Sequence, residues 1–123
     1  MKQIDEEDWA KPDGLSSQGE KAYQIVREYL ITNGLTFTGG CKLFHTPKEW
    51  TEKQGWEHGY GSELIVCFEG AAAGRALSFD KAYESARPGV DCYRLLEDLQ
   101  MKLREAGLFF EQCTTFYSAI YKA

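Results

Sequence analysis

The sequence of 123 residues lacks long apolar runs, clusters of basic residues and closely spaced cysteines. Its apolar runs span only a few residues, whereas a helix that crosses a bilayer needs about 20. Residues 1–8 are acidic and no apolar segment follows them, so the sequence predicts no secretory signal and a cytoplasmic location. With 43% hydrophobic and 27% charged residues, the composition is that of one folded domain with no membrane partner.

Basic residues are scattered singly along the chain. The 14 Lys and Arg stand against 19 Asp and Glu, which gives a formal net charge of −5. Residues 1–16 hold five acids and two lysines, a net charge of −3, which leaves −2 for the rest of the chain. Because non-specific nucleic-acid binding needs many phosphate contacts, this distribution argues against a nucleic-acid partner.

The four cysteines are Cys41, Cys67, Cys92 and Cys113, and no two of them have the C-x-x-C spacing of zinc ribbons or thioredoxin-type motifs. Free cysteines in a reducing compartment pack as small apolar groups, and Cys67 and Cys92 fit this role because they fall on apolar stripes. Phosphate-binding loops, zinc-protease helices and nucleophile elbows are also missing from the sequence. The sequence therefore favours a protein without its own catalysis and without a cofactor.

Residues 1–15 show no periodicity and are predicted to be a flexible acidic tail, followed by a single α+β domain over residues 16–123. A capping box of Ser17 and Glu20 opens the first helix, whose apolar residues recur at helical spacing. Gly34 ends this helix, because glycine tolerates the left-handed conformation that follows a helix end.

A short helix is predicted to begin after Thr46. This residue is a good N-cap, Pro47 suits the first helical position, and Glu49 completes a second capping box. His45 and Trp50 flank this start at the spacing of a hydrophobic staple, so their rings are expected to pack together.

Four strands and a second main helix complete the predicted elements. Residues 35–44 form the first strand, and residues 63–69 form a central strand because they are apolar on both faces. Residues 75–79 are predicted as the third strand. An amphipathic helix follows over residues 91–106, and residues 108–121 form one long strand or two strands joined by a bulge.

The order α-β-(short α)-β-β-α-β predicts a two-layer α+β fold, with a mixed four-stranded sheet and two main helices on one face. The first three strands form an antiparallel meander, and the last returns parallel beside the first. The alternative is a ferredoxin-like split β-α-β arrangement. The α-β-β-β-α portion resembles the double-stranded-RNA-binding domain in outline, but residues 89–94 lack the lysines with which that family grips phosphates, so no RNA-binding function is carried over.

The loop of residues 55–61 concentrates Trp56, His58 and Tyr60 between glycines, with Tyr117 of the last strand as an expected neighbour. Aromatic side chains on such a loop stack on ligands or anchor partners. Two main helices cover only one face of a sheet, and an apolar sheet face left open marks an interface. The sequence therefore predicts a small cytosolic interaction or regulatory protein that docks a protein partner or its own copy through this loop and face.

The alternative function uses the cysteines and histidines. Cys41 and His45 are four residues apart and, if His58 and Cys113 converge on them, the four side chains form a Cys/His metal site. Cys41 or Cys113 with His58 as its base predicts a small-molecule-binding protein or a Cys/His-dependent hydrolase.

Overall fold

The computed structural model describes residues 6–54, 61–78 and 92–123, without the side chains of residues 54, 92 and 93. Within these ranges, the helices are α1 (Ser17–Thr32), α2 (Pro47–Gln54), α3 (Gly74–Leu77) and α4 (Cys92–Glu105). The strands are β1 (Phe44–His45), β2 (Leu64–Cys67), β3 (Leu108–Gln112) and β4 (Tyr117–Lys122). The protein therefore has an α+β fold, and among the described helices none is long and apolar enough to cross a bilayer.

The N-cap of helix α1 lies one residue before the predicted cap. Ser16 has extended backbone angles and its Oγ accepts a hydrogen bond from the Gly19 N–H at 3.0 Å, whereas Ser17 is already helical. The predicted Ser17 cap is therefore wrong by one residue. At the other end, Gly34 adopts φ +73° and follows the last turn, as predicted.

The prediction of a third strand over residues 75–79 is wrong for residues 75–78, the part that the structure describes. Gly74–Leu77 form helix α3 instead. The N–H groups of Arg75 and Ala76 donate to carbonyls three residues earlier, and that of Ser78 donates to a carbonyl four residues earlier. The alanine-rich run before it explains the difference, since alanine is the strongest helix former and these side chains are small enough to bury in tight turns.

The segment predicted as one long strand or two is two antiparallel strands, β3 and β4, joined by a turn. The Cys113 N–H donates to the Tyr117 carbonyl at 3.1 Å, and the Thr114 hydroxyl accepts from the Phe116 N–H at 3.2 Å. These bonds close the turn, as threonine hydroxyls often do. Leu108 then pairs with Lys122 at the far end of the hairpin.

This hairpin explains why the predicted mixed sheet is wrong. The sheet order is β1-β2-β4-β3 and every described pairing is antiparallel. Because the chain reverses between β3 and β4, β4 runs back along β2 instead of returning parallel beside β1. The ferredoxin-like alternative also needs parallel neighbours, and none occurs among the described strands. The interior position of β2 is confirmed, but its neighbours are β1 and β4 instead of the first and third predicted strands.

The sheet has two covered faces that differ in size. Leu64 and Val66 of β2 point to the first face, where α1, α3 and α4 pack, and Ile65 and Cys67 point to the second, as the alternation in the sequence predicts. On the second face, Trp50 of α2 packs over the side chains of Ile65, Cys67, Tyr117 and Ala119. The predicted contact between His45 and Trp50 is present, with ring centroids 4.7 Å apart.

Part of the predicted tail contacts the domain. Trp9 is buried against Phe44 in the first-face core, with ring centroids 6.1 Å apart. The Asp8 carbonyl accepts from the Leu43 N–H at 2.9 Å, and the Tyr23 hydroxyl donates to the Trp9 carbonyl at 3.0 Å. Residues 8 and 9 therefore run beside the start of β1. The division of the chain at residue 16 stays a prediction.

Candidate functional site

A cleft of about 540 Å³ opens beside the edge where β1 meets β2, and we call it the thiol cleft. Its walls are the turn of residues 39–42, the rings of His45, Trp50 and Phe116, the Lys53 side chain, and the end of β2 with residues 67 and 69. A cavity of this volume is in the range that holds small ligands. It is also where two of the four cysteines meet.

A tight turn positions Cys41 at this cleft. The Cys41 N–H donates to the Thr38 carbonyl at 3.0 Å, and the two residues between them, Gly39 and Gly40, have φ of +61° and +85°. Positive φ at both central positions identifies a type I′ turn, which glycine adopts without strain. The Thr38 hydroxyl donates to the buried Asp8 carboxylate at 2.6 Å, so the turn is anchored to the segment before α1.

Cys67 is the last residue of β2, and its N–H donates to the Leu43 carbonyl at 2.7 Å, which extends the β1–β2 pairing by one step. This pairing brings the two thiols together: Cys41 Sγ lies 3.4 Å from Cys67 Sγ and 3.7 Å from the Cys67 carbonyl. Both are free thiols, and a disulfide would require their sulfurs to approach to about 2.05 Å.

The close approach changes the acidity of both thiols. The hydrogen bond that the Cys41 thiol donates to the Cys67 sulfur lowers the pKa of Cys67 to about 7 and raises the pKa of Cys41. Burial and the Glu69 carboxylate oppose the lowering of the pKa of Cys67, whereas the Glu69 backbone N–H and, more weakly, the Lys53 ammonium support it. A thiol with a pKa near 7 is about half ionised at neutral pH, and the thiolate is the nucleophilic form of cysteine.

His45 lines the same cleft, but other groups engage both of its ring nitrogens. Nε2 lies 3.0 Å from the Lys42 carbonyl and Nδ1 lies 3.3 Å from the Glu49 carboxylate. The side chain is 2% exposed, and burial lowers the pKa of His45 although both oxygen neighbours act to raise it. His45 is therefore placed to brace the turn and α2 rather than to take a proton from Cys41.

Cys113 lies in the turn of the β3–β4 hairpin, on the far side of β4 from Cys67, and does not line the thiol cleft. Burial, with a contribution from the Glu111 carboxylate, raises the pKa of Cys113 to about 11. Its thiol is therefore protonated at neutral pH, which makes it a natural reference for the Cys41–Cys67 pair.

The remaining predicted site residues are separated or lie outside the described ranges. Trp56, His58 and Tyr60 lie outside the described residues, as do all residues of the predicted partner-binding loop except Gly61. Tyr117 is fully buried beneath Trp50, with ring centroids 4.8 Å apart. No group of three or more His, Cys, Asp or Glu side chains suited to a metal ion occurs in the described parts of the chain.

Sequence reasoning selected Cys41 and His45 and missed Cys67, which it assigned to packing. Cys67 does pack in the second-face core, and it also borders the thiol cleft. A signal was present: Cys41 follows a pair of glycines, and Cys67 belongs to the strand that is expected to lie beside it. The register that brings the two sulfurs together depends on the intervening connection, whose residue types leave several registers open.

The chain was compared with protein-family models, with curated proteins and with solved structures, and no match was found in any of the three.

Proposed function

We propose that the protein carries out thiol–disulfide exchange at the Cys41–Cys67 pair. The observation that carries the proposal is the 3.4 Å separation of two free sulfurs at the wall of an open cleft. The hydrogen bond between them favours a thiolate at Cys67, and the second thiol is close enough to resolve a mixed disulfide. This reaction needs no metal, and it needs no base other than solvent or the thiolate that is released.

The reaction balances as two successive displacements. The Cys67 thiolate attacks one sulfur of a disulfide R–S–S–R, forms a mixed disulfide and releases one thiolate, RS⁻. Cys41 then loses its proton to solvent or to RS⁻ and attacks Cys67 Sγ, which expels the second RS⁻. Two electrons pass from the cysteine pair to the substrate disulfide, and the protein is left with a Cys41–Cys67 disulfide.

The test is to incubate the reduced protein with hydroxyethyl disulfide at neutral pH and to map its peptides by mass spectrometry. We expect one cross-linked peptide pair that contains Cys41 and Cys67, with Cys113 still reduced. Oxidation that falls equally on Cys113, or no Cys41–Cys67 cross-link at all, would overturn the proposal.

Two variants distinguish the roles of the two thiols. In Cys41→Ser the serine hydroxyl can still donate to Cys67, so we expect a stable mixed disulfide on Cys67 and release of a single thiol. In Cys67→Ser we expect neither rapid reaction nor an adduct. An adduct that accumulates on Cys41 in Cys67→Ser, with none in Cys41→Ser, would reverse the assigned roles. Cys113→Ser is the matched control and should react like the unaltered protein.

Docking of a partner or of a second copy on the second face stays a further proposal, supported by one observation. Phe109 of β3 is 44% exposed and stacks on Tyr121 of β4, with ring centroids 5.3 Å apart, on the part of that face beyond Trp50. Light scattering on Phe109→Ser, compared with the unaltered protein, tests this. Docking is supported if the unaltered protein has the mass of a dimer or a complex and the variant has the mass of a monomer. If both proteins are monomers at high concentration, the dimer is contradicted.

A further inference from the structure

The two sulfurs of the thiol cleft differ in how far a reagent can approach them. Cys67 borders the cleft but is only 7% exposed, whereas Cys41 is half-buried. Exchange brings a disulfide sulfur, with the chain that it carries, against the attacking sulfur. Hydrogen peroxide carries no chain, so it needs less free space at a recessed sulfur than any disulfide does.

The charges that line the cleft select no ionic reagent. Lys53 and Glu69 both lie at its wall, and among the described residues neither is within ion-pair distance of an opposite charge. Their charges act in opposite directions on the Cys67 sulfur. A neutral reagent is therefore neither attracted nor repelled by the pair, and hydrogen peroxide is neutral at physiological pH.

The second thiol is placed to complete a reaction with peroxide. Cys41 Sγ lies 3.4 Å from Cys67 Sγ, so it is within reach of a sulfenic acid formed on Cys67. A cysteine beside a resolving thiol passes to a disulfide before it is oxidised further. Cys113 is also a free thiol, but its Sγ donates to the Glu111 carbonyl at 3.7 Å and does not line the cleft.

We infer that the Cys41–Cys67 pair also reduces hydrogen peroxide, with Cys67 as the sulfur that is attacked first and Cys41 as the resolving thiol. This activity uses the same two thiols as the proposed exchange reaction, but its substrate bond is O–O instead of S–S.

The reaction balances in two steps. The Cys67 thiolate attacks one peroxide oxygen, the O–O bond breaks, and Cys67 becomes a sulfenic acid while hydroxide leaves and takes up a proton to form water. The Cys41 sulfur then attacks Cys67 Sγ, the S–O bond breaks, and a second water forms with the Cys41 proton. Two electrons pass from the cysteine pair to the peroxide, and the Cys41–Cys67 disulfide remains.

The test treats the reduced protein with hydrogen peroxide at neutral pH and maps its peptides by mass spectrometry over time. We expect the Cys41–Cys67 cross-link to form about a hundredfold faster than Cys113 is oxidised, with one peroxide consumed for each cross-link. With dithiothreitol present to reduce the pair again, peroxide consumption should continue well above the rate without protein. Oxidation of Cys67 and Cys113 at one rate, or a sulfinic acid on Cys67 without a cross-link, would overturn the inference.

Variants identify the two roles. In Cys41→Ser we expect a sulfenic acid on Cys67 that dimedone captures in about tenfold higher yield than in the unaltered protein, because the resolving thiol is gone. Cys67→Ser should give no adduct on Cys41 and no peroxide consumption above background. Cys113→Ser is the matched control and should behave like the unaltered protein. An adduct on Cys41 in Cys67→Ser, with none on Cys67 in Cys41→Ser, would contradict the assigned point of attack.

A bulkier peroxide tests the argument from space. The ratio of the hydrogen peroxide rate to the tert-butyl hydroperoxide rate should be about five- to tenfold larger at Cys67 than for free cysteine, because access limits only the recessed sulfur. Equal ratios would show that burial does not restrict the reagent and would contradict this part of the inference.

Failure of the inference can be told apart from failure of the exchange reaction. If hydroxyethyl disulfide produces the Cys41–Cys67 cross-link and hydrogen peroxide does not, the exchange proposal stands and the peroxide activity is wrong. If neither reagent produces the cross-link, both proposals are wrong. If only hydrogen peroxide produces it, the inference stands and the exchange proposal is wrong.

Discussion

On the first face of the sheet, three helices and the strands bury a cluster of twenty described residues that are nearly all hydrocarbon. On the second face, Trp50 covers a cluster of four residues that includes the Cys67 thiol and the Tyr117 phenol. Apolar burial is the main source of stability, so the first face dominates the free energy of unfolding. The second face holds fewer apolar contacts and the open cleft. The comparison therefore puts most of the stabilising burial on one face of the sheet and the thiol pair with its cleft on the other.

The largest expected effect is on the first face. Leu99 of α4 is fully buried there, so Leu99→Ala should lower the free energy of unfolding by about 2–5 kcal/mol. The pH dependence of Cys67 alkylation in the folded variant should not change. Met101, on the same helix and 53% exposed, provides the control, because Met101→Ala should cost less than about 0.5 kcal/mol. Chemical denaturation measures both. If Leu99→Ala shifts the pH dependence of Cys67 alkylation, the two faces are not independent and the comparison is contradicted.

A smaller effect is expected at the turn that carries Cys41. Gly39→Ala and Gly40→Ala should each cost about 1–2 kcal/mol, because both residues have positive φ. A Cβ on Gly39 would also lie 3.0 Å from the Gly70 carbonyl oxygen, whereas one on Gly40 meets nothing within 4 Å. Gly39→Ala should therefore be the more costly of the two and should slow formation of the Cys41–Cys67 disulfide more. Equal stabilities and equal rates would contradict this placement of the turn.

A smaller effect on stability is expected at the N-terminus of α1, the helix that packs on the first face. Ser16 caps this helix and its hydroxyl also donates to the Glu63 carboxylate at 2.7 Å, so Ser16→Ala should cost about 1 kcal/mol. Ser17→Ala, one residue later on the exposed helix surface, should change stability by less than about 0.5 kcal/mol. Thermal or chemical unfolding of the pair decides between the two serines. A larger cost at Ser17 would restore the cap that the sequence predicted.

The smallest expected effect is a pH dependence on the second face. Burial lowers the pKa of His45 below its ordinary value of 6.5, so the unfolded chain binds a proton before the folded protein does. The free energy of unfolding should therefore fall as the pH falls from 7 through 6.5 towards the folded pKa. His45→Gln should show a shallower fall over that window. A rise in stability of the unaltered protein on acidification would mean that His45 is an imidazolium held between the Lys42 carbonyl and Glu49.

Local patterns in the sequence predicted the elements that depend on neighbouring residues. The central strand β2, the alternation of Leu64 and Ile65 between faces, the Thr46 cap and the contact of His45 with Trp50 are present. Each follows from a spacing of a few residues, which sequence alone specifies.

The elements that depend on distant residues were not predicted. The alanine run before α3 suits a loop, a strand or a helix, and packing of Ala76 and Leu77 in the first-face core decides among them. Only the threonines at 114 and 115 mark the chain reversal at residues 113–116. When this reversal is missed, the last strand is predicted to run parallel to the first. The Cys41–Cys67 contact joins residues 26 positions apart through a strand register, so the cleft could not be derived from either residue alone.

The most direct test of the account is the alkylation rate of Cys67 and Cys113 as a function of pH, resolved by peptide mapping in one sample. The account predicts half-maximal reactivity of Cys67 near pH 7, while Cys113 stays slow throughout the neutral range because its pKa is raised to about 11. Cys41→Ala should move the Cys67 midpoint upward, since the donor that stabilises the thiolate is gone. Cys67 and Cys113 titrating together in the ordinary thiol range would contradict the account.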